Sequence, residues 1–387
     1  MTQQPKLMLP GPVDVWDETL TALGQKVRSN FTDDWGPIQD ETISYLKQVF
    51  QTQNDIFILT AAGSGAVEMG VASLFSRGEK VAAINNGPFA GRAIEILRAY
   101  DCEVVEIENG WGCGADLEQV EAALAQHPDV AGLVVVANET GTGVRNPVQE
   151  LAALAHARNL PILVDAVSGM GGYDLPVDKW GLDLVCTSSN KALEVPPGLG
   201  FVSVSERAWA LIDAKQAQGG RGWYYNLSNW KQYRGQGRYA PTTMATSMIM
   251  GLHASLKRII EVETLQGHWA RYAWAQKAVR TGLRNIGFEM LAPDDVASFT
   301  VTAVCKHPSM AHEQEVRDFL AAKHNFTVSG TWGKTTGQAF RVSHMGRASS
   351  KEYLLPFLLG IEDFLRTEKG INVPVGASLV GMELPGY

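Results

Sequence analysis

Three short stretches of the chain hold residues whose types suit one chemistry. In AAGSGAVEMGVASL (61–74) an apolar run gives way to Gly63, Ser64, Gly65 and Ala66 at the start of a helical pattern. Small residues there leave backbone N–H groups open at a helix N-terminus, which makes a natural cradle for a phosphate. In LPILVDAVSGMGG, Asp165 follows four apolar residues, so its carboxylate faces a large desolvation cost unless a partner such as a cationic ring nitrogen meets it. In TSSNKALEVPPGLG (187–200), Lys191 stands at the mouth of another apolar run, ahead of a turn with two prolines and a glycine. A lysine in a partly dehydrated site sheds its proton, and the free amine reacts with an aldehyde. Singly, these residues also read as a tight turn, a capping aspartate and a snorkelling lysine. Together they offer a phosphate cradle, a carboxylate for a pyridinium nitrogen and a Schiff-base lysine, which is what pyridoxal phosphate needs.

The surrounding pattern is able to bring them to one place. Between about 56 and 205, the runs IFILT, KVAAIN, CEVVEI, AGLVVVAN, PILVD, LDLVCT and GFVSVS are interleaved with helical patterns at 65–77, 88–100, 116–126 and 147–158. Short continuous apolar runs spaced by amphipathic helices predict an α/β fold, a mostly parallel seven-stranded sheet between helices. Ligands of such sheets bind beyond the carboxyl ends of the strands, where Asp165 and Lys191 fall. A long helical pattern near 244–285 leads out of this unit. Beyond it SFTVTAVC, HEQEVRDFLAAKH, AFRVSH and KEYLLPFLLGIEDFLRTEK predict a smaller C-terminal α+β domain. The expected division is an N-terminal extension (1–21), a large domain (22–262) and a small domain (263–387).

Composition narrows the class further. With 387 residues, 45% hydrophobic and 19% charged, the chain has material for two domains and the balance of a globular enzyme. A net charge of −8 with no concentration of Lys or Arg argues against a nucleic-acid or anionic-membrane surface. The four cysteines lack CxxC spacing and the eight histidines lack paired spacing, so neither a metal site nor a disulfide framework is expected. No signal-peptide core and no run of about 18 apolar residues is present, which predicts a cytoplasmic protein.

The ordered motifs GSGAVE, VDAVSGMGG and SSNKALEVPPGLG resemble those of class V pyridoxal-phosphate enzymes of fold type I, especially the alanine-glyoxylate and serine-glyoxylate aminotransferases. The resemblance runs from LPGPV (9–13) to FRVSHMG (340–346). It implies that Lys191 forms the Schiff base, that Asp165 partners the pyridine nitrogen, and that Ser64, Gly65, Ala66 and Asn190 hold the phosphate. It places Phe89 of NNGPFAGRAIEIL over the cofactor ring, and Thr140 or Thr142 of ETGTG near the ring oxygen. In GRYAPTT (237–243), Tyr239 and Thr242 would reach the phosphate of a neighbouring subunit, making a homodimer with shared sites the active unit. Arg341 would bind the substrate carboxylate, for which a planar fork of fixed charge is well suited. Pocket walls are expected around Pro10 and Gly11, at Trp35 and at Trp223 and Tyr224.

The implied activity is transfer of an amino group from a small donor (alanine, serine, glycine or aspartate) to glyoxylate or pyruvate. Cysteine desulfurase chemistry is the alternative from the wider class, but its histidine positions here read Phe89 and Asn190, and Cys305 lies within a strand-like run. The chain is also similar to pyridoxamine-pyruvate aminotransferases at PGPV, VSERAWA and HMG. Those enzymes alter the glycine-rich turn, whereas GSGA keeps the form that retains bound cofactor. A silent binding homologue would be expected to lack Lys191, Asp165 or Arg341, and an oxidoreductase would carry GxGxxG after its first strand.

Overall fold

A computed structural model describes residues 4–217 and 221–383. Its centre is a seven-stranded sheet in the spatial order Asp55–Thr60, Leu199–Val204, Leu184–Ser188, Ile162–Asp165, Leu133–Val136, Lys80–Asn85 and Glu103–Glu108. Leu199–Val204 runs antiparallel to both neighbours, while every other pairing is parallel. All seven are the apolar runs expected from the sequence. The strands Leu133–Val136, Ile162–Asp165, Leu184–Ser188 and Leu199–Val204 are buried along their whole length. Continuous rather than alternating hydrophobicity follows from that double coverage.

The crossover helices Gly63–Leu74, Pro88–Ala99, Leu117–Gln126 and Val148–Ala157 match the sequence expectation to within a few residues. Gly63–Leu74 packs on the strands Leu184–Ser188 and Leu199–Val204. Gly70 permits this close approach, because a Cβ there would meet Leu184 Cδ2 at 2.8 Å and Leu163 Cδ1 at 2.9 Å. The expected long helix near 244–285 is two helices, Thr246–Lys257 and Leu265–Asn285. A π-helical turn at Arg258–Val262 follows the first. The break then falls at Thr264, whose backbone turns left-handed (φ 66°) while its hydroxyl caps Gly267 N–H at 3.1 Å.

Beyond the break lies a three-stranded antiparallel sheet ordered Val301–Cys305, Ala339–Ser343, Ser329–Gly330, with the helices Gln314–His324 and Lys351–Thr367. The short strand Ser329–Gly330 has no counterpart in the sequence reading. Among the described residues two large apolar cores result, with a small third cluster of Val13, Ala192, Tyr272 and Met345. One large core runs from Trp35 to Leu265, and the other joins Met8 to residues between Ala275 and Val373. Met8 belongs to the second core because the strand Lys6–Leu7 pairs in parallel with Phe326–Thr327. Among the described residues, no helix is long and apolar enough to cross a membrane.

Candidate active site

At the carboxyl ends of the parallel strands a cavity of about 180 Å³ opens. Asp165 terminates the strand Ile162–Asp165, and Asn190 and Lys191 follow the strand Leu184–Ser188. Ser64 opens one helix and Phe89 another. All five, with Thr140, line this one space. The turn residues Gly65 and Ala66 are buried just behind it, and Gly63 takes their place on the lining.

Burial governs the electrostatics here. It raises the Asp165 carboxyl to about 6, opposed by the Val167 N–H and by the cations Lys191 and Arg92. The Val167 N–H donates to Asp165 Oδ1 at 2.9 Å, while Oδ2 accepts no hydrogen bond among the described residues. Burial lowers Lys191 to about 8. Arg341 and Arg92 push the same way, and Asp165 pulls back. Lys191 Nζ donates to the Pro10 carbonyl. Gly11, expected on the substrate wall, lies directly against this lysine. With φ 122° and with Lys191 Nζ where its Cβ would stand, the position suits only glycine.

The hydroxyls of ETGTG diverge. Thr140 Oγ1 shares a 2.5 Å hydrogen bond with Ser168 Oγ, itself on the cavity wall. Thr142 Oγ1 turns away toward the Asn86 carbonyl at 3.5 Å. Arg341 is 2% exposed in the strand Ala339–Ser343, and its Nε donates to Gly330 O at 2.9 Å. Nη1 and Nη2 make no hydrogen bond or ion pair among the described residues. Burial lowers this guanidinium to about 10, with Glu139 partly opposing.

Trp35, Trp223, Tyr224, Tyr239 and Thr242, all expected at the site, stand away from the cavity, and neither Arg341 nor Thr142 is on its lining. Trp35 is packed in the large core with 1% exposed. Tyr239 donates to Asp40 Oδ1 at 2.8 Å and lies near Gly36 O at 3.3 Å. Thr242 is beside Tyr224, whose hydroxyl meets the Thr60 backbone at 3.2 Å.

Several site residues went unread in the sequence. Arg92 lines the cavity three residues beyond Phe89 on one helix face, its guanidinium 5.0 Å from the Phe89 ring centre. That i, i+3 spacing was an available signal. Glu139 is wholly buried. It accepts the N–H groups of Phe89 (3.0 Å), Ala90 (2.9 Å) and Gly141 (2.7 Å), and so fixes the start of the helix bearing Phe89 and Arg92. Burial raises its carboxyl to about 7, against those N–H groups. Behind Lys191, Glu194 is also fully buried. It accepts from Trp16 Nε1 (2.7 Å), Tyr272 Oη (2.6 Å) and Arg271 (2.9 Å), and pairs with Arg258. Its partners lie far away along the chain, so no local pattern announced it.

The arrangement fits pyridoxal phosphate on its own geometry. The N–H groups of Gly63 and Ser64 open the helix Gly63–Leu74 onto the cavity and have no hydrogen-bond partner among the described residues. An anion is favoured there, a ring N–H suits the free Asp165 oxygen, and an amine with a lowered pKa stands beside both.

Comparisons with known proteins identify the family. The family model described as "Aminotransferase class-V" matches residues 23–353. An uncharacterized aminotransferase of Methanocaldococcus jannaschii is 35% identical over 90% of this chain and 89% of its own length. A serine-glyoxylate aminotransferase of Arabidopsis thaliana is 28% identical over 96% and 93%. Among solved structures, a ureidoglycine-glyoxylate aminotransferase from Bacillus subtilis superposes with a TM-score of 0.92 at 27% identity, covering 98% of both chains. The fold is thus that of the fold type I α/β transferases. Within them, this chain belongs to the class-V aminotransferase family and is a transaminase.

Proposed function

We propose that the protein moves an amino group from a small amino acid to glyoxylate or pyruvate, using pyridoxal phosphate held in the Lys191 cavity. One observation carries the reading: Lys191, Asp165 and an open helix N-terminus line a single buried space, with a guanidinium nearby whose two Nη groups are free. Relatives whose names include glyoxylate support that acceptor.

Pyridoxal phosphate, when bound, supplies the aldehyde that takes the amino group and the ring that withdraws electrons from the donor's Cα. The chain supplies the rest. The N–H groups of Gly63 and Ser64, with Asn190, hold the phosphate, and Asp165 Oδ2 keeps a proton on the ring nitrogen. Phe89 would cover the cofactor's ring, and Thr140, hydrogen-bonded to Ser168, would serve its ring oxygen. Arg341 grips the substrate carboxylate through Nη1 and Nη2, which turns the Cα proton toward Lys191. Lys191 Nζ, whose pKa is lowered to about 8 by burial, would take that proton in its unprotonated form. When bound, the cofactor would keep the amino group as the donor leaves as a 2-oxo acid and would pass it to glyoxylate or pyruvate, a ping-pong order. None of the four cysteines lines the cavity, so a desulfurase nucleophile has no place in this reading. Tyr239 and Thr242, remote from their own cavity, serve the phosphate site of the partner subunit in a homodimer.

The test is a panel of alanine, serine, glycine and aspartate, each mixed with the pyridoxal-phosphate-loaded protein and followed by bleaching of its visible band. Small donors should bleach the band, and glyoxylate or pyruvate should restore it. Lys191→Ala should remain folded while losing multiple turnovers. A colourless protein that gains no visible band with pyridoxal phosphate would refute the proposal.

A further inference from the structure

The loop between Gly330 and Ala339 carries a large apolar residue in the open, Trp332, 47% exposed. Its indole is placed between two residues of the site. The Arg341 guanidinium lies over it, 4.6 Å from the ring centre, and the Phe89 ring stands 5.6 Å away at an angle of 51°. The loop is also fixed to the large domain. Gly333 (φ 60°) backs onto Trp111, and Lys334 reaches Glu108 at 3.4 Å while lying 5.7 Å from the Trp111 ring centre.

These contacts restrict how Arg341 is approached. Its Nε is occupied by the Gly330 carbonyl, and the indole lies along the guanidinium. The Nη1 and Nη2 edge is what remains for a carboxylate. The indole stands against that guanidinium, beside but not among the residues that line the cavity with Phe89 and Lys191, where a molecule held by its carboxylate would bring its other substituents.

We propose that Trp332 is a specificity-determining residue of the transaminase: its indole is the wall against which the donor's side chain is measured. Hydrogen, methyl and hydroxymethyl groups fit beside it, and branched or aromatic side chains do not. The assignment rests on the reading of Arg341 as the carboxylate anchor. Stacking also keeps the guanidinium in one plane, so the same indole supports the anchor while limiting what accompanies the carboxylate. A single methylene in a hydrophobic pocket discriminates by about 10- to 200-fold, so a ring-sized wall is sufficient to separate alanine from leucine.

Two measurements on the full-length enzyme test it. Ligand-detected NMR titration with acetate, propionate, isovalerate and phenylacetate reads binding without turnover. Propionate should bind at least tenfold more tightly than phenylacetate, and Trp332→Ala should shift that ratio at least tenfold toward the larger acid, with Trp332→Phe between them. In the second measurement, Trp332→Ala should raise kcat/KM for leucine relative to alanine by at least tenfold. If Trp332→Ala does not fold, the Phe variant carries both tests through the same direction of change. Ratios unchanged within twofold would overturn the wall, as would carboxylate binding that survives Arg341→Ala. A protein that transaminates no donor yet shows the shifted carboxylate ratios would overturn the proposed reaction and keep Trp332 as the wall. Transamination with unshifted ratios would do the reverse.

Discussion

Lys191 and Asp165 are moved in opposite directions by the same cause. Burial favours the neutral form of each, lowering the amine to about 8 and raising the acid to about 6. Arg341 and Arg92 add repulsion to the amine, whereas Asp165 attracts its proton. Only the neutral amine attacks an aldehyde, so its availability sets a pH profile. For cofactor-free protein mixed with pyridoxal phosphate, the rate at which the visible band appears should rise about tenfold per pH unit up to about 8 and then level. Arg341→Ala removes a neighbouring positive charge and should move the midpoint upward. Stopped-flow absorbance across pH 6 to 10.5 measures both, and a rate still climbing at pH 10 in the parent would contradict the assignment. Lys191 and Asp165 were legible in sequence because each follows a recognisable apolar run, whereas Phe89 was singled out only by the family resemblance. Glu139 was not legible, since a glutamate in ETGTG looks like a loop acid until its three backbone N–H donors are visible in space.

At the scale of elements, the turn after Lys191 is held by a charged cluster that joins it to the helix Leu265–Asn285. Burial tends to raise the Glu194 carboxyl, yet Arg271 and Arg258 hold it down to about 2. Tyr272 bridges it to the small domain, donating to Glu194 Oε1 and accepting the Gly346 N–H at 3.1 Å. His268 Nε2 meets the Ala192 carbonyl at 3.1 Å, one residue from the lysine. Glu194 itself sits in the left-handed region (φ 57°), a conformation that costs a non-glycine residue about 1 kcal/mol and persists only when its surroundings over-determine it. Removing its charge takes one carboxylate from the buried Arg271 and the part-exposed Arg258, both of which still pair with Glu263, a loss of about 1–3 kcal/mol. Glu194→Gln should therefore lower unfolding free energy by that order in denaturant melts, and it should slow pyridoxal phosphate uptake through a less ordered Lys191 turn. A change below about 1 kcal/mol would show that the cluster relaxes without cost. The sequence offers strands as apolar runs and helices as periodic faces, so a mostly parallel sheet with Lys191 at a strand end could be anticipated, but not its strand order or the antiparallel run of Leu199–Val204. A cluster built from residues 16, 194, 258, 263, 268 and 271 has no such local signature, because only tertiary packing brings its charges together.

Across the whole molecule, one N-terminal segment ties the two cores to the reacting lysine. Met8 is fully buried in the small-domain core, its N–H donating to Thr327 O at 2.9 Å and its carbonyl accepting Ser343 N–H at 2.8 Å. Two residues on, the Pro10 carbonyl accepts from Lys191, and Asp14 accepts from Tyr353 at 2.8 Å and from Leu7 N–H at 2.9 Å. The segment is therefore a strap from the small-domain sheet to the cavity. Its role in composing the second core was hidden in sequence by a span of more than 300 residues between Lys6–Leu7 and Phe326–Thr327. Met8→Ala deletes a buried side chain whose surroundings are fixed by backbone hydrogen bonds on both sides, and the expected cost is about 2–5 kcal/mol. Because the large core contains none of this side chain, the loss should be local. Amide hydrogen exchange should show lower protection over the small-domain helices and around Lys191, with the sheet from Asp55 to Val204 unchanged. Uniform loss across both cores would mean that the two unfold as one unit, and that the strap carries stability to the whole chain instead of position to the lysine.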